Sequence, residues 1–317
     1  MDNIKDKIIN ILRECEVEEE DIYNYNFIEN EILESLQIAE IVMNLEDVFS
    51  IEIDGADIIP ENFINIEEIE KLIIKYLEKN VSSDKAHSAG EILWDSIARQ
   101  AQNAIEQSGW KSSFDGKVFS QVEMNEFYMN VKYKVTPYIN NKSRILEIGV
   151  GSGMIAEIIA PICKEYIGVD ISKETIRKTE KRMSEIKNVF FIQGNALDIA
   201  NMQINKCDVV IINSVIQYLS SFEELIQLIN EITKVIDSGI IFIGDILDIG
   251  KKNEYDEKIK RIHGKANKTD NWYSKEQIES LAKSVDRISK IQISEKCGYT
   301  IKNELNQYRF DAICKVD

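Results

Sequence analysis

Residues 144–153 read Arg-Ile-Leu-Glu-Ile-Gly-Val-Gly-Ser-Gly, a short apolar run that ends in three alternating glycines. The run predicts a buried strand, and Gly149, Gly151 and Gly153 allow a tight turn and the close approach of a ligand to the backbone. The spacing is Gly-x-Gly-x-Gly, which differs from the dinucleotide-binding fingerprint Gly-x-Gly-x-x-Gly. The preceding Glu147 is not part of that fingerprint either. An ordinary strand-to-helix turn is the alternative, but the pattern favours a site for a nucleotide-like cofactor.

Strands and helices alternate downstream of this turn. The predicted strands are 144–148, 166–169, 189–192, 208–213 and 240–243, and the predicted helices between them are 154–162, 173–185 and 222–236. This alternation indicates an α/β fold whose mostly parallel sheet is covered on both faces. Two predicted helices upstream, 91–107 and 121–139, indicate a helical cap over residues 91–140, followed by the sheet core at 141–317.

Polar residues follow the predicted strands at their carboxyl ends, where such sheets bind ligands. Asp170, followed by Ile171, ends the second strand about twenty residues after the glycines, where a carboxylate can accept the ribose hydroxyl protons. Segment 195–197 follows the third strand and is placed to bind an adenine edge. Trp110 is equally consistent with a lid over the cofactor and with a core position. The predicted cofactor-binding set is Glu147, Gly149, Gly151, Gly153, Asp170, Ile171, Asn195, Ala196, Leu197, Asn213 and Trp110.

The net charge of −17 is concentrated in the first quarter of the chain. Residues 1–80 contain 6 Lys/Arg and 22 Asp/Glu, whereas the remaining residues are almost balanced. We therefore predict a domain boundary near residue 80 and a flexible polar linker at residues 81–90. Because an acidic surface repels phosphate backbones and anionic lipids, we expect neither nucleic-acid nor membrane partners. A partner enzyme with a basic docking patch would suit it.

The acidic domain is predicted to be a small helical bundle. Apolar residues at helical spacing predict helices at 2–14, 35–49 and 66–78. Ser35 stands at the start of the second helix, in Glu34-Ser35-Leu36. A helix N-cap is the common role of such a serine, and a site for a tethered substrate is the functional alternative.

The cysteines and histidines predict no metal site. The five cysteines are scattered without a Cys-x-x-Cys pair, and the histidines are His87 and His263 alone. This usage is typical of reduced core thiols in a cytoplasmic protein. The first residues lack an apolar signal core, and no apolar run approaches about 18 residues, so we expect neither a secretion signal nor a transmembrane helix.

Seven segments together resemble class I S-adenosylmethionine-dependent methyltransferases, and more narrowly the methyltransferase domains embedded in nonribosomal peptide and polyketide synthases. The resemblance covers residues 100–317. Its segments are 108–116, 123–124, 146–153, 160–163, 212–218, 242–245 and 303–312. The last resembles the N-methyltransferase motif Asn-Glu-Leu-x-x-Tyr-Arg-Tyr-x-Ala, with Phe310 in place of a tyrosine, and oxygen-methylating domains carry similar segments.

The resemblance implies a Rossmann-like methyltransferase that binds S-adenosylmethionine and releases S-adenosylhomocysteine. The candidate catalytic residues are Asn213 and Tyr218 after the fourth strand, Asn303 and Arg309 in the C-terminal motif, and His263, for which a solvated loop position is the commoner role. A neutral amine needs only weak base assistance, whereas a hydroxyl needs a well-placed base. The lack of an obvious strong base slightly favours nitrogen over oxygen as the acceptor atom. Carbon is disfavoured as the acceptor, because enolisation requires a pair of basic residues and the sequence shows none.

Residues 1–80 resemble an acyl or peptidyl carrier protein, with Glu34-Ser35-Leu36 standing where that family has Asp-Ser-Leu. The resemblance implies 4′-phosphopantetheine on Ser35, attached by a phosphopantetheinyl transferase. It also implies a loading enzyme, adenylating or acyl-transferring, and downstream assembly-line enzymes that act in trans. The chain would then methylate a tethered acyl or aminoacyl group. The alternatives are a non-catalytic docking protein that binds the cofactor, and a nucleic-acid methyltransferase, which the acidic domain disfavours.

Overall fold

The computed structural model of the chain describes residues 4–15, 17–18, 21–23, 26–28, 32–33, 35–49, 51, 53–79, 89–263 and 270–317. The chain divides into two compact units, and the division falls between Ser96 and Ile97. Residues 81–88 of the predicted linker lie outside the described residues, so the linker and the boundary near residue 80 stay predictions. Within these ranges no helix is both long and apolar enough to cross a bilayer.

Among the described residues of the first unit, three helices lie where the apolar periodicity predicts helices within residues 1–80. They are α1 (Ile4–Glu14), α2 (Ser35–Phe49) and α3 (Ile66–Lys79). Their apolar faces meet in one core, because residues three and four apart share one face of a helix. Buried members of this core include Ile8, Leu12, Ile41, Leu45 and Ile69. Helix α2 begins at Ser35.

The rest of the described chain alternates helices with strands. The helices are α4 (Ala89–Gln100), α5 (Ala104–Gln107), α6 (Gln121–Val135), α7 (Met154–Ile159), α8 (Lys173–Arg182), α9 (Phe222–Thr233), α10 (Lys252–His263), α11 (Lys275–Ser284) and α12 (Glu304–Gln307). The strands are β1 (Arg144–Ile148), β2 (Glu165–Asp170), β3 (Val189–Gln193), β4 (Cys207–Asn213), β5 (Ile236–Leu247), β6 (Ile288–Glu295) and β7 (Arg309–Val316).

The seven strands form one sheet in the order β3-β2-β1-β4-β5-β7-β6. Strands β1 to β5 run parallel, and β7 runs antiparallel to both β5 and β6. The strand order reverses between β1 and β4, which in such sheets opens a crevice at the carboxyl ends of the strands. The predicted, mostly parallel sheet is thus confirmed.

Apolar residues alternate between the two faces of the sheet, since successive side chains of a strand point in opposite directions. On β4, Val209 and Ile211 belong to the core shared with α6, α7 and α8. Val210 and Ile212 belong to the core shared with α9 and α11. Burial on both faces explains why the central strands read as continuous apolar runs.

Several parts of the described fold differ from the sequence prediction. The predicted helix 91–107 is broken, because α4 ends at Gln100 and α5 begins at Ala104. The Asn103 side chain accepts the backbone N–H groups of Ile105 and Glu106 and so starts a new helix. The antiparallel strands β6 and β7 and the helices α10 and α11 were not predicted, and His263, expected in a loop, is the last residue of α10. The predicted helix 222–236 ends at Thr233, and β5 begins at Ile236.

A buried ion network joins β7 to the end of β5. Asp311 Oδ1 lies 2.8 Å from Lys296 Nζ and accepts the backbone N–H of Asp245 at 2.8 Å. Asp311 Oδ2 lies 2.6 Å from Lys134 Nζ and accepts the amide of Asn130 at 2.8 Å. Lys296 Nζ also lies 3.1 Å from Asp245 Oδ1. Burial would raise the pKa of Asp311, but Lys296 and Lys134 hold it below its ordinary value.

Replacing Lys296 by methionine should destabilise the fold strongly. The side chain is 1% exposed, and its loss would leave Asp245 and Asp311 short of a buried counter-charge. We expect the free energy of unfolding to fall by about 3–5 kcal/mol in urea titrations. Lys315→Met is the control, because the ion pair of Lys315 with Asp317 is solvent-exposed and worth at most about 1 kcal/mol. Equal losses in the two variants would contradict a stabilising role for the buried network.

Candidate functional site

The register of the sheet brings the predicted site residues to one edge. Ile148 pairs with Val169 and with Ile212, so the ends of β1, β2 and β4 are level. The pairing of β4 with β5 ends where Asn213 faces Gly244. Leu247 pairs with Arg309, which puts the start of β7 at the same edge. The glycine turn, Asn213 and Arg309 therefore lie along one edge of the sheet.

The three glycines after β1 are required by both conformation and space. All three have a positive φ, of +73° at Gly149, +52° at Gly151 and +72° at Gly153. A Cβ on Gly149 would lie 2.3 Å from Val215 Cγ2, and one on Gly151 would lie 2.7 Å from Ser108 Oγ. Only glycine fits these positions without displacing a neighbour.

Hydrogen bonds from distant residues fix the glycine turn. Asp170 Oδ2 accepts the N–H of Gly151 at 2.9 Å. Ser108 Oγ accepts the N–H of Ser152 at 2.9 Å, and Thr179 Oγ1 donates to the carbonyl of Gly151 at 2.8 Å. The sequence analysis did not name Ser108 or Thr179 as site residues, and Thr179 lies in no recognisable motif. Ser108 does fall in segment 108–116, which was the one available signal.

The predicted adenine and ribose residues lie at the ends of β2 and β3. Asp170 is nearly buried, and its Oδ1 accepts the N–H of Ser172 at 3.0 Å. Asn195 is exposed, and its Oδ1 accepts the N–H of Leu197 at 3.0 Å, which starts the 3₁₀ turn Ala196–Asn201. Ile171 is half-buried, as are Ala196 and Leu197. The structure thus places this part of the set around the ends of neighbouring parallel strands.

Glu147 lies inside the fold, directly before the glycine turn. Its side chain is buried, and Oε2 accepts the hydroxyl proton of Tyr166 at 2.8 Å. Burial raises the pKa of Glu147 to about 8, against the effect of the Tyr166 hydrogen bond and with a further contribution from the charge of Asp170. The carboxyl group therefore holds a proton at neutral pH unless a cation is bound nearby.

A second polar group lies where β4 and β5 end. Asn213 is buried, and its Oδ1 has no hydrogen-bond partner among the described residues. Ser214 and Asp245 both have a positive φ, of 57° and 65°, and the Ser214 hydroxyl donates to Asp245 Oδ2. Arg309 Nη1 lies 3.4 Å from the same Oδ2. Such backbone conformations are rare outside glycine and are maintained by the surrounding contacts.

The other candidate catalytic residues have different surroundings. Tyr218 is 54% exposed. Asn303 accepts the N–H of Leu305 at the start of α12 and donates to Glu123 Oε1 at 3.0 Å. His263 Nε2 lies 3.0 Å from the carbonyl oxygen of Ser113. The amide of Asn303 is thus committed to contacts within the fold, and the contact of His263 is with backbone. Across the described ranges, no three or more His, Cys, Asp or Glu side chains are grouped to hold a metal ion.

Trp110 packs in the helical cap. Its ring lies edge-on to Phe127, with 4.6 Å between the ring centroids, and it contacts the core on the side of α6. Trp110 remains partly accessible. Trp110 therefore packs against this core while part of its side chain remains accessible to solvent.

Comparison with known proteins identifies the class. The family described as "Methyltransferase domain" matches residues 139–306, so the chain belongs to this family. Chondramide synthase cmdD of Chondromyces crocatus is 25% identical over 229 residues, which are 66% of this chain and 6% of that protein. Nonribosomal peptide synthetase dtxS1 of Metarhizium robertsii is 28% identical over 226 residues, 65% of this chain and 3% of that protein. The chain thus spans only a small part of the curated relatives it matches.

The fold is also found among solved structures. Phosphoethanolamine N-methyltransferase 1 of Haemonchus contortus, solved with phosphoethanolamine and S-adenosylhomocysteine, superposes with a TM-score of 0.54 at 14% identity, covering 70% of this chain and 47% of that chain. The predicted Rossmann-like methyltransferase is confirmed. The family match lies outside residues 1–80, so the resemblance of that region to carrier proteins stays a prediction.

The raised pKa of Glu147 predicts a pH-dependent stability. The folded protein keeps this proton up to a pH of about 8, whereas an unfolded glutamate loses it above about 4.5. Stability is therefore lost as the pH rises between these values, by at most about 1.4 kcal/mol per unit. In urea titrations at several pH values, the free energy of unfolding of Glu147→Gln should increase relative to that of wild type as the pH rises.

The control for this effect is Glu180→Gln, which removes an exposed carboxylate of α8. The difference in free energy of unfolding between Glu180→Gln and wild type should stay nearly constant across the same pH range. A constant difference for Glu147→Gln as well would show that Glu147 is ionised in the folded protein.

Proposed function

We propose that the chain transfers a methyl group from S-adenosylmethionine to a heteroatom of an acyl or aminoacyl group held as a phosphopantetheine thioester. Nitrogen is the favoured acceptor and oxygen the alternative. The observation that carries the proposal is the presence, at one sheet edge, of a braced glycine turn and a buried polar group around Asn213, Asp245 and Arg309. The pathway would be the assembly of nonribosomal peptides or polyketides, as the names of the relatives suggest.

The residues at the glycine turn fit the cofactor. The glycines allow the backbone to turn sharply at the carboxyl end of β1, where sheets of this topology bind ligands. Asp170 stands where a carboxylate binds ribose hydroxyls in sheets of this topology, and segment 195–197 is next to it on the following strand. Glu147 has a raised pKa and is suited to ionise beside the amino group of the bound cofactor. When bound, S-adenosylmethionine supplies an activated methyl group.

The protein's contribution to the transfer is orientation and exclusion of water. The reaction needs the acceptor atom in line with the methyl carbon, which is a matter of positioning. The buried Asn213 oxygen and the Arg309 guanidinium are rigidly held polar groups that can orient an acceptor. Asn213 Oδ1 and the Nε and Nη1 atoms of Arg309 make no hydrogen bond within the described part of the fold, so an acceptor would use them.

The carrier function of residues 1–80 supports the same reaction. A 4′-phosphopantetheine on Ser35, at the start of α2, would hold the acyl group on a flexible arm. A tether raises the local substrate concentration to the mM range when it spans the two sites. A phosphopantetheinyl transferase, a loading enzyme and downstream enzymes would act as partners in trans.

Cofactor binding should depend on Gly151. In Gly151→Ala, the new Cβ would displace Ser108 Oγ and break its bond to Ser152, in addition to straining a positive φ. We expect the affinity for S-adenosylhomocysteine, measured by isothermal titration calorimetry, to fall at least about tenfold. Gly116→Ala is the matched control, because Gly116 has a φ of +68° but open space around its Cβ position. Equal affinities would place the cofactor away from the glycine turn.

The carrier assignment is tested by intact-protein mass spectrometry after incubation with a phosphopantetheinyl transferase and coenzyme A. Wild type should gain the mass of one phosphopantetheine, and Ser35→Ala should gain none. Ser274→Ala, which changes a helix-starting serine outside residues 1–80, should behave as wild type. No gain in wild type, while a control carrier is modified, would reject the carrier and leave a methyltransferase for free or partner-bound substrates.

Methyl transfer separates the enzyme from the docking alternative. The holo protein, loaded with aminoacyl or hydroxyacyl groups, should gain one methyl mass per acyl group in the presence of S-adenosylmethionine. Cofactor binding without any cofactor consumption, for every loaded group, would favour the non-catalytic docking protein instead.

A further inference from the structure

Glu304, the first residue of α12, has a buried carboxylate oxygen that the described fold does not use. The residue is 2% exposed. Its Oε1 accepts the backbone N–H of Ser113 at 2.8 Å, whereas Oε2 is buried without a hydrogen-bond partner among the described residues. A buried carboxylate oxygen that lacks a partner is costly for the fold. Its retention points to a ligand that donates a hydrogen bond.

Glu304 begins α12, which directly precedes β7, so Glu304 and Arg309 lie at the same edge of the sheet. Burial would lower the pKa of Arg309, but the negative charges of Asp245 and Glu304, together with Tyr255 and Asp270, raise it. Asp245 is also neutralised by Lys296, at 3.1 Å. The negative charges of Glu304 and Asp270 therefore act on a guanidinium that already pairs with Asp245, at 3.4 Å.

Aromatic side chains cluster next to Ser113, whose N–H binds Glu304. The adjacent Phe114 ring lies 5.5 Å from that of Tyr255 and 6.1 Å from that of Tyr308, and the rings of Tyr255 and Trp272 are 5.1 Å apart. Burial raises the pKa of both tyrosines, and the charge of Glu304 adds to this effect, at Tyr308 after that of Glu254. A carboxylate beside aromatic rings suits an ammonium group, which gains from both.

We propose that Glu304 binds the acceptor nitrogen. Its free Oε2 accepts a hydrogen bond from the amino group of an α-aminoacyl thioester, and Arg309 donates to the carbonyl oxygen of that thioester. This inference rests on the proposed function and narrows its acceptor to an amine. The sequence analysis did not include Glu304 among the candidate residues.

The proton balance of the transfer follows from this arrangement. An acceptor that arrives as an ammonium ion first gives one proton to solvent through the carboxylate. The freed lone pair of nitrogen forms the N–C bond as the S–C bond breaks, and the electron pair of that bond remains on sulfur. The methylated nitrogen then carries a positive charge and two protons, one of which passes to Glu304 Oε2 and leaves a neutral N-methylamine.

The test compares wild type with Glu304→Gln, which keeps an oxygen for the Ser113 N–H and removes the charge. The probes are matched pantetheine thioesters of alanine and lactate, and of phenylalanine and phenyllactate, which differ only in the amine or hydroxyl. Stable amide analogues of the same pairs, with S-adenosylhomocysteine present, report equilibrium binding. Glu254→Gln is the control, because Glu254 is an exposed carboxylate near the hydroxyl of Tyr308, at 3.4 Å.

Wild type should bind and methylate an aminoacyl probe in preference to its hydroxyacyl partner. Glu304→Gln should lose this preference, with kcat/KM for the amine lowered about a hundredfold, and Glu304→Asp should recover part of it. The affinity for S-adenosylhomocysteine should stay within about twofold in all variants, which shows that the fold and cofactor site are intact. Glu254→Gln should retain both the preference and the rate.

Two results would overturn the inference while the proposed function stands. One is an aminoacyl preference that Glu304→Gln keeps in full, and the other is wild-type methylation of the hydroxyacyl probes alone. A wild type that binds S-adenosylhomocysteine but neither binds nor methylates any probe would overturn the inference together with the proposed acceptor class. Methylation by the holo protein of groups loaded on Ser35 distinguishes that result from a failure of the free probes.

Discussion

The buried pairing of Asp311 with Lys296 and Lys134 determines the arrangement of the polar residues Asn213, Asp245 and Arg309. We call this group the acceptor side of the site, because we propose that it binds the acceptor. Asp311 lies in the middle of β7, and its Oδ1 accepts the N–H of Asp245, where the register between β5 and β7 shifts. This bond holds Asp245 at a positive φ and directs its carboxylate towards Ser214 and Arg309. A buried ion network is seldom the most stable solution for a core, since a well-packed apolar cluster of the same volume often does better. Here the network fixes the position of charged groups that an apolar core would leave out.

The cofactor side of the fold follows from local sequence. Strand β1 and the glycine turn occupy ten consecutive residues, and the three glycines that permit positive φ values all lie in that stretch. The strands after it are also continuous apolar runs, because both faces of the sheet are buried. This explains why the parallel part of the sheet and the positions of Gly149 to Gly153, Asp170 and Asn213 were predictable. The hydrogen bonds from Ser108 and Thr179 to the glycine turn were not predictable, because these residues lie in separate helical regions that meet only in the folded chain.

The acceptor side was harder to predict for a physical reason. Strand β7 contains Arg309 and Asp311, and a charged residue at a core position obscures the pattern of a buried strand. Lys296 lies outside any strand, and its partners are 15 and 51 residues away in the sequence. Long-range electrostatic pairs leave no periodic signal. The motif at residues 303–312 did mark this region, but it could not distinguish Asn303, which is used within the fold, from Glu304, which has a free oxygen.

The two sides of the site differ in how far the protein satisfies its own polar groups. Around the glycine turn, Asp170, Ser108 and Thr179 are all hydrogen-bonded within the chain, so the turn is fixed before a ligand arrives. Around Arg309, the buried polar atoms of Asn213 and Glu304 lack partners among the described residues. The first arrangement suits a cofactor, because a preformed site loses little entropy on binding. The second leaves the fold with a desolvation cost, which a hydrogen-bonding acceptor would relieve. A tethered acceptor reduces the entropic cost of occupying such a site, because attachment to a carrier replaces free diffusion with a local search. Under the proposed function, delivery on a flexible arm would suit such a site, because the bound substrate would complete the hydrogen bonding of its buried polar groups.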